Sequence, residues 1–88
     1  MSCCLFQFIA KVAQEVERAD MLHGDWRGDD SATMITRICG EVREVGAAAA
    51  AGDRTGPHGM ETELVQVAAT AFKMFREVRR ANLPQQDV

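Results

Sequence analysis

The apolar residues of this chain fall into three runs that repeat at steps of three and four residues, the period of one face of an α-helix. Two short stretches that concentrate Gly, Asp and Pro separate the runs. The spacing predicts helices over about residues 5–22, 32–51 and 60–82, followed by a polar tail at 83–88. No internal repeat and no β-type alternation competes with this pattern. The sequence therefore predicts a single all-α domain that spans residues 1–88.

Each predicted helix carries one apolar stripe, and the three stripes are the candidate core. They consist of Leu5, Phe8, Ile9, Val12, Val16 and Ala19 in the first helix, of Met34, Ile35, Ile38, Val42, Val45 and Ala49 in the second, and of Met60, Leu64, Val67, Ala68, Ala71, Phe72, Phe75 and Val78 in the third. A chain of 88 residues has room for only a modest core, so three helices leave wide apolar stripes uncovered. Because four helices enclose a core better than three, we expect a four-helix-bundle-type core that a homodimer or homotetramer completes.

Charge and cysteine content argue against several classes of protein. Ten basic and thirteen acidic side chains give a net charge of -3, which provides no broad cationic surface for a nucleic-acid backbone. Cys3, Cys4 and Cys39 are odd in number and lack the spacing of a zinc site or a disulfide framework, so we expect reduced thiols in a cytoplasmic protein. No basic residue precedes the apolar start, and Gln7 and Lys11 interrupt it, so neither export nor membrane insertion is expected.

Acidic residues lie at the borders of two apolar stripes. On a helical wheel Glu41 borders the stripe of the second helix and Glu63 that of the third, where a carboxylate is costly unless it is hydrogen-bonded or faces a cation. Three residues further on, Glu44 and Gln66 share the same helix faces. If the two helices pack antiparallel, three carboxylates and an amide oxygen converge, a set that suits Mg²⁺ or Mn²⁺. The alternative is a pair of solvated acidic faces, which Glu residues at this spacing often form.

The residues around these acids also resemble a known family. Residues 40–44 read Gly-Glu-Val-Arg-Glu, residues 63–66 read Glu-Leu-Val-Gln, and residues 17–18 and 23–24 read Glu-Arg and His-Gly. In wording and spacing the chain resembles, over most of its length, the MazG-like nucleotide pyrophosphohydrolases of the all-α NTP pyrophosphatase superfamily. The family pattern is Glu-Glu-x-x-Glu on one helix and Glu-x-x-Asp on a later one. Gly40 therefore stands where the family has its first Glu, and Gln66 stands where it has its Asp.

The resemblance implies a house-cleaning enzyme that hydrolyses a nucleoside triphosphate between its α- and β-phosphates, giving the monophosphate and pyrophosphate. It implies that Glu41, Glu44 and Glu63 bind Mg²⁺ or Mn²⁺. Gln66 keeps a carbonyl oxygen but not the charge, so the metal affinity should be lower than in a full acidic site. Because Gly40 has no carboxylate, Glu41 and Glu44 are also the catalytic candidates that orient the attacking water. The loss of two acids leaves an alternative, a non-catalytic relative that binds nucleotides or mediates assembly.

A few residues outside the acidic motif are candidates for contacting the substrate. Trp26, in the first loop, can stack on a base or cover the end of the bundle as an apolar lid. His23 can contact phosphate or belong to the C-terminal cap of the first helix. Lys73 is a weaker candidate for contacting the triphosphate. Arg76 belongs to a basic cluster that either is solvated near a helix end or binds phosphate, and His58 is interpreted as a loop residue.

Overall fold

The computed structural model describes residues 3–82, with side chains for residues 3–80, and contains three α-helices. Helix α1 spans Cys4–His23, α2 spans Ser31–Ala51 and α3 spans Met60–Asn82. No strand occurs within 3–82, so the predicted all-α class is confirmed and the helix ends differ from the predicted ones by one residue at most. None of these three helices combines the length and apolar character needed to span a bilayer. The predicted tail at 83–88 lies outside the described residues.

The ends of α2 follow from local hydrogen bonding. The carboxylate of Asp30 accepts a hydrogen bond of 2.8 Å from the backbone N–H of Thr33, which satisfies one of the free donors at the start of the helix. At the other end Gly52 adopts a left-handed conformation with φ of 70°, and its N–H donates to the carbonyls of Ala48 and Ala49. This conformation suits a residue without a Cβ atom, so the chain can turn there towards α3.

Helix α3 is the central element of the fold. It packs against both α1 and α2, whereas the Cα atoms of α1 and α2 nowhere approach each other within 8 Å among the described residues. An ion pair of 2.9 Å between Lys11 and Glu61 joins the first halves of α1 and α3, and contacts of Asp20 with Arg76 join their second halves, so these two helices run parallel. Helix α2 returns antiparallel to α3 through the short loop 52–59. A cleft therefore opens between α1 and α2 along one face of α3.

The face of α3 that lines this cleft is polar. Its buried polar side chains are Glu63, Thr70, Lys73 and Glu77, and their buried apolar neighbours on the helix are Val65 and Ala69. The predicted apolar stripe of α3 points elsewhere, because Leu64, Phe72, Phe75 and Val78 remain 44 to 58% exposed. The observed inner face thus differs from the predicted core. Three helices leave no element to cover the apolar stripe, whereas the polar face lies between two neighbours.

Apolar side chains are also exposed on the other two helices. The most apolar part of α1 is open over Leu5, Phe6, Phe8 and Ile9, and α2 exposes Ile35 and Val42. A groove of about 400 Å³ lined by Ile9, Val12, Ala13, Val16 and Phe72 runs between α1 and α3. Contiguous exposed apolar surface of this kind is typical of a protein that associates with another molecule.

Candidate functional site

Three of the predicted metal ligands form one cluster. One carboxylate oxygen from each of Glu41, Glu44 and Glu63 lies within 4.8 Å of the other two. Glu41 and Glu44 are one helical turn apart on α2, and Glu63 stands in the first turn of α3. The antiparallel packing of the two helices brings these turns side by side. The structure therefore brings together the three glutamates that the sequence indicated, and we call them the acidic cluster.

One carboxylate oxygen in each of two members of the acidic cluster is buried without a hydrogen-bond partner in the described residues. Glu63 is only 6% exposed, and the Oε2 atoms of Glu41 and Glu63 are buried with no hydrogen-bond partner among the described residues. Burial raises the pKa of both carboxyl groups, and the neighbouring Glu44 raises each pKa further, because adjacent carboxylates resist ionising together. Such an arrangement is costly unless a cation compensates it. The donor set and its unsatisfied oxygens fit a hard divalent ion.

A cavity of about 630 Å³ lies next to the acidic cluster. Gln66 lines it, so the fourth predicted ligand faces the same space as the three glutamates. The alanine run at the end of α2 contributes a wall through Ala47, Ala48 and Ala51, whose small side chains leave the space open. Asp53 and His58, from the loop between α2 and α3, complete the lining. We call this space the metal-side cavity.

A second cavity, of about 700 Å³, lies in the cleft between the three helices and the first loop. All three predicted substrate-contacting residues, His23, Trp26 and Lys73, line it. Glu41 and Gln66 line both cavities, so the two spaces adjoin at these residues. We call this second space the cleft cavity. The structure therefore brings the predicted substrate residues to the side of Glu41 that faces away from the loop 52–59.

Lys73 is the most deeply buried of these residues, at 3% exposure. Its Nζ atom lies 3.2 Å from Oδ1 of Asp20 and donates a hydrogen bond of 3.3 Å to the carbonyl of Gly24. The same carboxylate of Asp20 accepts bonds of 2.9 and 3.0 Å from Arg76. Hydrogen bonding to Arg76, followed by that to Lys73, holds the pKa of Asp20 below its usual range. Asp20 thus fixes the ammonium group of Lys73 at the wall of the cleft cavity.

Trp26 is half-buried and lies beneath two cations. The guanidinium of Arg37 is 4.6 Å from the centre of the indole ring, and Nζ of Lys73 is 4.9 Å from it. Arg37 also pairs with Asp29 at 2.5 Å. Cation–π contacts of this kind favour a defined ring orientation. The indole is therefore part of the wall of the cleft cavity, next to the two cations that hold it.

The cations of the cleft cavity already have carboxylate partners. Arg18 pairs with Glu15, and its hydrogen bond is the main cause that lowers the pKa of Glu15. Arg37 and Lys73 pair with aspartates as described above, and the Glu41 carboxylate also lines the space. The charge that faces a ligand is consequently not cationic. A polyphosphate needs an additional cation to bind here, since the carboxylates of the acidic cluster would otherwise repel it.

Three further residues that the sequence indicated have distinct surroundings in the structure. His23 ends α1 and is exposed at the rim of the cleft cavity, where the N–H of Gly24 caps the helix through the carbonyl of Asp20. Around Gly40 the position of an added Cβ atom has no heavy atom within 4 Å outside its own helix backbone, so a side chain there would have open space. Arg76 is neither fully solvated nor free for phosphate, because Asp20 engages it with both oxygens.

Several contacts of the candidate site were not evident in the sequence. Glu15, Asp20 and Arg37 were not identified as site residues, yet all three contribute to the cleft cavity or hold one of its cations. Asp20 and Lys73 lie on helices separated by the whole of α2, and no spacing rule connects them. The one available signal was the abundance of acids near the end of α1. His58, interpreted as a loop residue, is indeed in a loop and also lines the metal-side cavity.

The raised pKa values of Glu41 and Glu63 give a specific dependence of stability on pH. The folded state holds their protons more tightly than the unfolded state, whose glutamates titrate near about 4.3. In the absence of divalent ions, we expect the free energy of unfolding to fall as pH rises from there through the raised pKa values. Urea unfolding at a series of pH values in a chelator measures this fall. Saturating Mg²⁺ is expected to remove it.

The control for this pH series is the double variant Glu41→Gln, Glu63→Gln, which carries no titratable group at these positions. It is expected to show a flat profile over the same range. At more acid pH all variants should lose stability together, because contacts with Arg76 and Arg18 lower the pKa values of Asp20 and Glu15. An unchanged fall in the double variant would contradict the assignment of the effect to the acidic cluster.

The fold and the site together define an all-α protein with three carboxylates clustered between two antiparallel helices, beside a cleft that a third helix closes. No protein-family model, no curated protein and no solved structure matches the chain.

Proposed function

We propose that this chain is a divalent-metal-dependent nucleoside triphosphate pyrophosphohydrolase of the MazG-like kind, acting in the cytoplasm on canonical or damaged nucleotides. The observation that carries the proposal is the acidic cluster itself. It has buried, unpartnered oxygens at Glu41 and Glu63, and Glu41 also lines the cleft cavity, which is of nucleotide size and includes Trp26 and Lys73. The amino-acid sequences of the two acidic motifs at residues 40–44 and 63–66 support the same class of enzyme.

The proposed metal is Mg²⁺, with Mn²⁺ as a substitute. Glu41, Glu44 and Glu63 would hold it, and the carbonyl oxygen of Gln66 faces the same cavity. When bound, the ion neutralises phosphate charge and polarises the phosphoryl group for attack by water. Two of the carboxylate oxygens are buried without a hydrogen-bond partner in the described residues. A bound ion would compensate this unfavourable burial, which contributes to the affinity of the site for the ion.

The chain's own residues supply the proton acceptor and the substrate contacts. In the proposed reaction a water oxygen bonds to phosphorus as the bond between the α- and β-phosphates breaks, and pyrophosphate leaves. Glu41 lines both cavities and has a free Oε2, so it or its neighbour Glu44 can accept the proton of the attacking water. The ammonium of Lys73 lies at the wall of the cleft cavity, where it would contact the phosphates while it remains paired with Asp20, and Trp26 offers an aromatic surface for the base. His23 lies at the rim, where it can contact the polyphosphate.

Pyrophosphate release tests this proposal directly. The purified protein is incubated with a panel of NTPs and dNTPs and Mg²⁺, and the products are separated by ion-exchange chromatography. We expect nucleoside monophosphate and pyrophosphate in equal amounts, with no diphosphate intermediate. Glu41→Gln serves as the inactive control. Release no greater than that of the control for every nucleotide would reject catalysis.

A second candidate function is that of a non-catalytic nucleotide-binding or assembly protein. The observation that favours it is the open space at Gly40, where the family pattern has a carboxylate. This function predicts that nucleotide with Mg²⁺ raises the melting temperature or changes the fluorescence of Trp26, the single tryptophan, without turnover. The variant Gly40→Glu, Gln66→Asp restores both acids of the motif. Turnover by that variant alone would establish the second function for the natural chain.

We also propose that the exposed apolar stripes pack in a homodimer or homotetramer, completing a four-helix-bundle-type core. Phe75, at 58% exposure, lies within the uncovered stripe of α3. Phe75→Asp is expected to shift the protein to a monomer at micromolar concentration, because it places a charge in an apolar interface. Light scattering coupled to size exclusion measures the mass.

The matched control for Phe75→Asp is Thr36→Asp, on an exposed polar face of α2. It introduces the same charge and is expected to leave the oligomer intact. A natural chain that is already monomeric at micromolar concentration would contradict the assembly.

A further inference from the structure

We infer that His58 is an additional ligand of the cation bound at the acidic cluster, and that it shifts the preference of the site from Mg²⁺ towards first-row transition ions. The inference rests on the proposed metal-dependent function and specifies which metals the site selects. The family pattern described above consists of carboxylates alone, so an imidazole ligand would be particular to this chain.

His58 lies beside the acidic cluster, but outside the group of ligand atoms that are within 4.8 Å of one another, so its imidazole has to turn to share an ion with the glutamates. Its Nδ1 atom lies 3.8 Å from Oε1 of Glu63, and both residues line the metal-side cavity. Two ligands of one ion with bonds near 2.1 Å lie about 3 to 4 Å apart, so the separation of His58 and Glu63 allows both to bind one metal. The other oxygen of Glu63 is buried without a partner in the described part of the chain. An ion at this point therefore meets an unsatisfied carboxylate and an accessible imidazole.

The loop fixes the backbone on both sides of His58. The N–H of Gly59 donates to the carbonyl of Gly56 at 2.9 Å, and the N–H of Gly56 donates to the carboxylate of Asp53 at 2.9 Å. A Cβ atom at Gly59 would lie 2.8 Å from both the Asp53 carboxylate and the backbone nitrogen of Gly56, so this close turn requires glycine there. The carbonyl of Gly59 in turn accepts from the N–H of Glu63. The loop thus ties the position of His58 to the first turn of α3.

An imidazole changes which cations the site prefers. Mg²⁺ strongly prefers oxygen ligands, whereas ions such as Co²⁺ and Zn²⁺ accept imidazole nitrogen readily and bind mixed sites more tightly. Gln66 stands where the family pattern has an acid, so the proposed metal site has one negative charge fewer than that pattern provides. His58 compensates for this loss with a neutral nitrogen donor. The exposed imidazole, at 93% side-chain exposure, can turn towards the ion without breaking packing.

The first experiment uses Mn²⁺ as a spectroscopic probe. Protein stripped of metal is loaded with Mn²⁺, and electron spin echo envelope modulation reports nitrogen bound to the ion. The natural protein is expected to show imidazole nitrogen modulation, and His58→Gln is expected to lack it. His23→Gln is the matched control, since the chain has two histidines, and it should retain the nitrogen signal.

The second experiment measures competition between Co²⁺ and Mg²⁺ by calorimetry. His58→Gln is expected to lower the ratio of Co²⁺ to Mg²⁺ affinity by about tenfold or more, with His23→Gln unchanged. Absence of nitrogen modulation in the natural protein, or an unchanged ratio in His58→Gln, overturns the role of His58. If Glu63→Gln still abolishes Mn²⁺ uptake in that case, the carboxylate site itself stands. A natural protein that takes up no divalent ion overturns both proposals.

Discussion

Replacement of Glu63 by glutamine is expected to abolish divalent-metal binding and to lower pyrophosphate release by at least about 100-fold. Glu63 is the most buried member of the acidic cluster and the only one that α3 contributes. Without its charge, the two glutamates of α2 hold an ion from one side only. Calorimetric titration with Mg²⁺ measures the binding, and chromatography of the nucleotide products measures the activity.

The same substitution is expected to raise the stability of the metal-free protein at neutral pH. The amide carries no charge to desolvate, and its N–H groups can donate to the carboxylates of Glu41 or Glu44. Opposite effects on stability and on metal binding distinguish a lost ligand from a damaged fold. Glu61→Gln is the matched control, because Glu61 lies in the same turn but is exposed and pairs with Lys11. Normal metal uptake by Glu63→Gln, or its loss in Glu61→Gln, contradicts the proposed site.

Replacement of Asp20 by asparagine is expected to destabilise the fold by about 2 to 3 kcal/mol. Asp20 pairs with Lys73, whose side chain is 3% exposed, and with Arg76, so the substitution leaves a buried ammonium without its counter-charge. The value lies at the lower end for a broken buried pair, because the carboxylate of Asp20 is itself 29% exposed. Urea unfolding at a fixed protein concentration measures the loss, and Trp26 fluorescence reports the disturbed environment next to Lys73.

Two further variants decide whether the buried charge is the cause. Asp29→Asn removes the partner of Arg37, which is 41% exposed, and is expected to cost less than about 1 kcal/mol. Adding Lys73→Met to Asp20→Asn removes the unpaired ammonium and should recover part of the stability, a coupling that a double-mutant cycle measures. Equal losses for Asp20→Asn and Asp29→Asn, without recovery in the double variant, would rule out this explanation.

The sequence predicted the helices well because helix limits depend on local signals. Apolar spacing, the Asp30 cap and the glycine at position 52 act over a few residues and are visible without the fold. The acidic cluster could also be predicted from the sequence, because Glu41 and Glu44 share a helix face and a short loop returns the chain past them to Glu63. The ion pair between Asp20 and Lys73 could not be predicted from the sequence, because it depends on how α1 lies along α3.

The identity of the inner face was the largest difference between prediction and structure. Periodicity locates an apolar stripe on α3, yet it does not tell which face the neighbouring helices occupy. In the structure they occupy the polar face with Glu63, Lys73 and Glu77, and Phe72 and Phe75 remain on the outside. The position of His58 next to Glu63 could not be predicted from the sequence for a related reason. A loop has no period, so only its hydrogen bonds reveal that this side chain stands beside Glu63.

In the described part of the chain, α1 and α2 are connected through α3 and not through direct backbone packing, so the site has two separately supported walls. The wall formed by α2 and the start of α3 carries the acidic cluster, whereas α1 carries His23 and the Asp20 that restrains Lys73. Substitutions in α1 can therefore reshape what enters the cleft while the carboxylate geometry stays intact. Under the proposed function, the range of substrates can therefore change through α1 while the metal ligands on α2 and α3 stay the same.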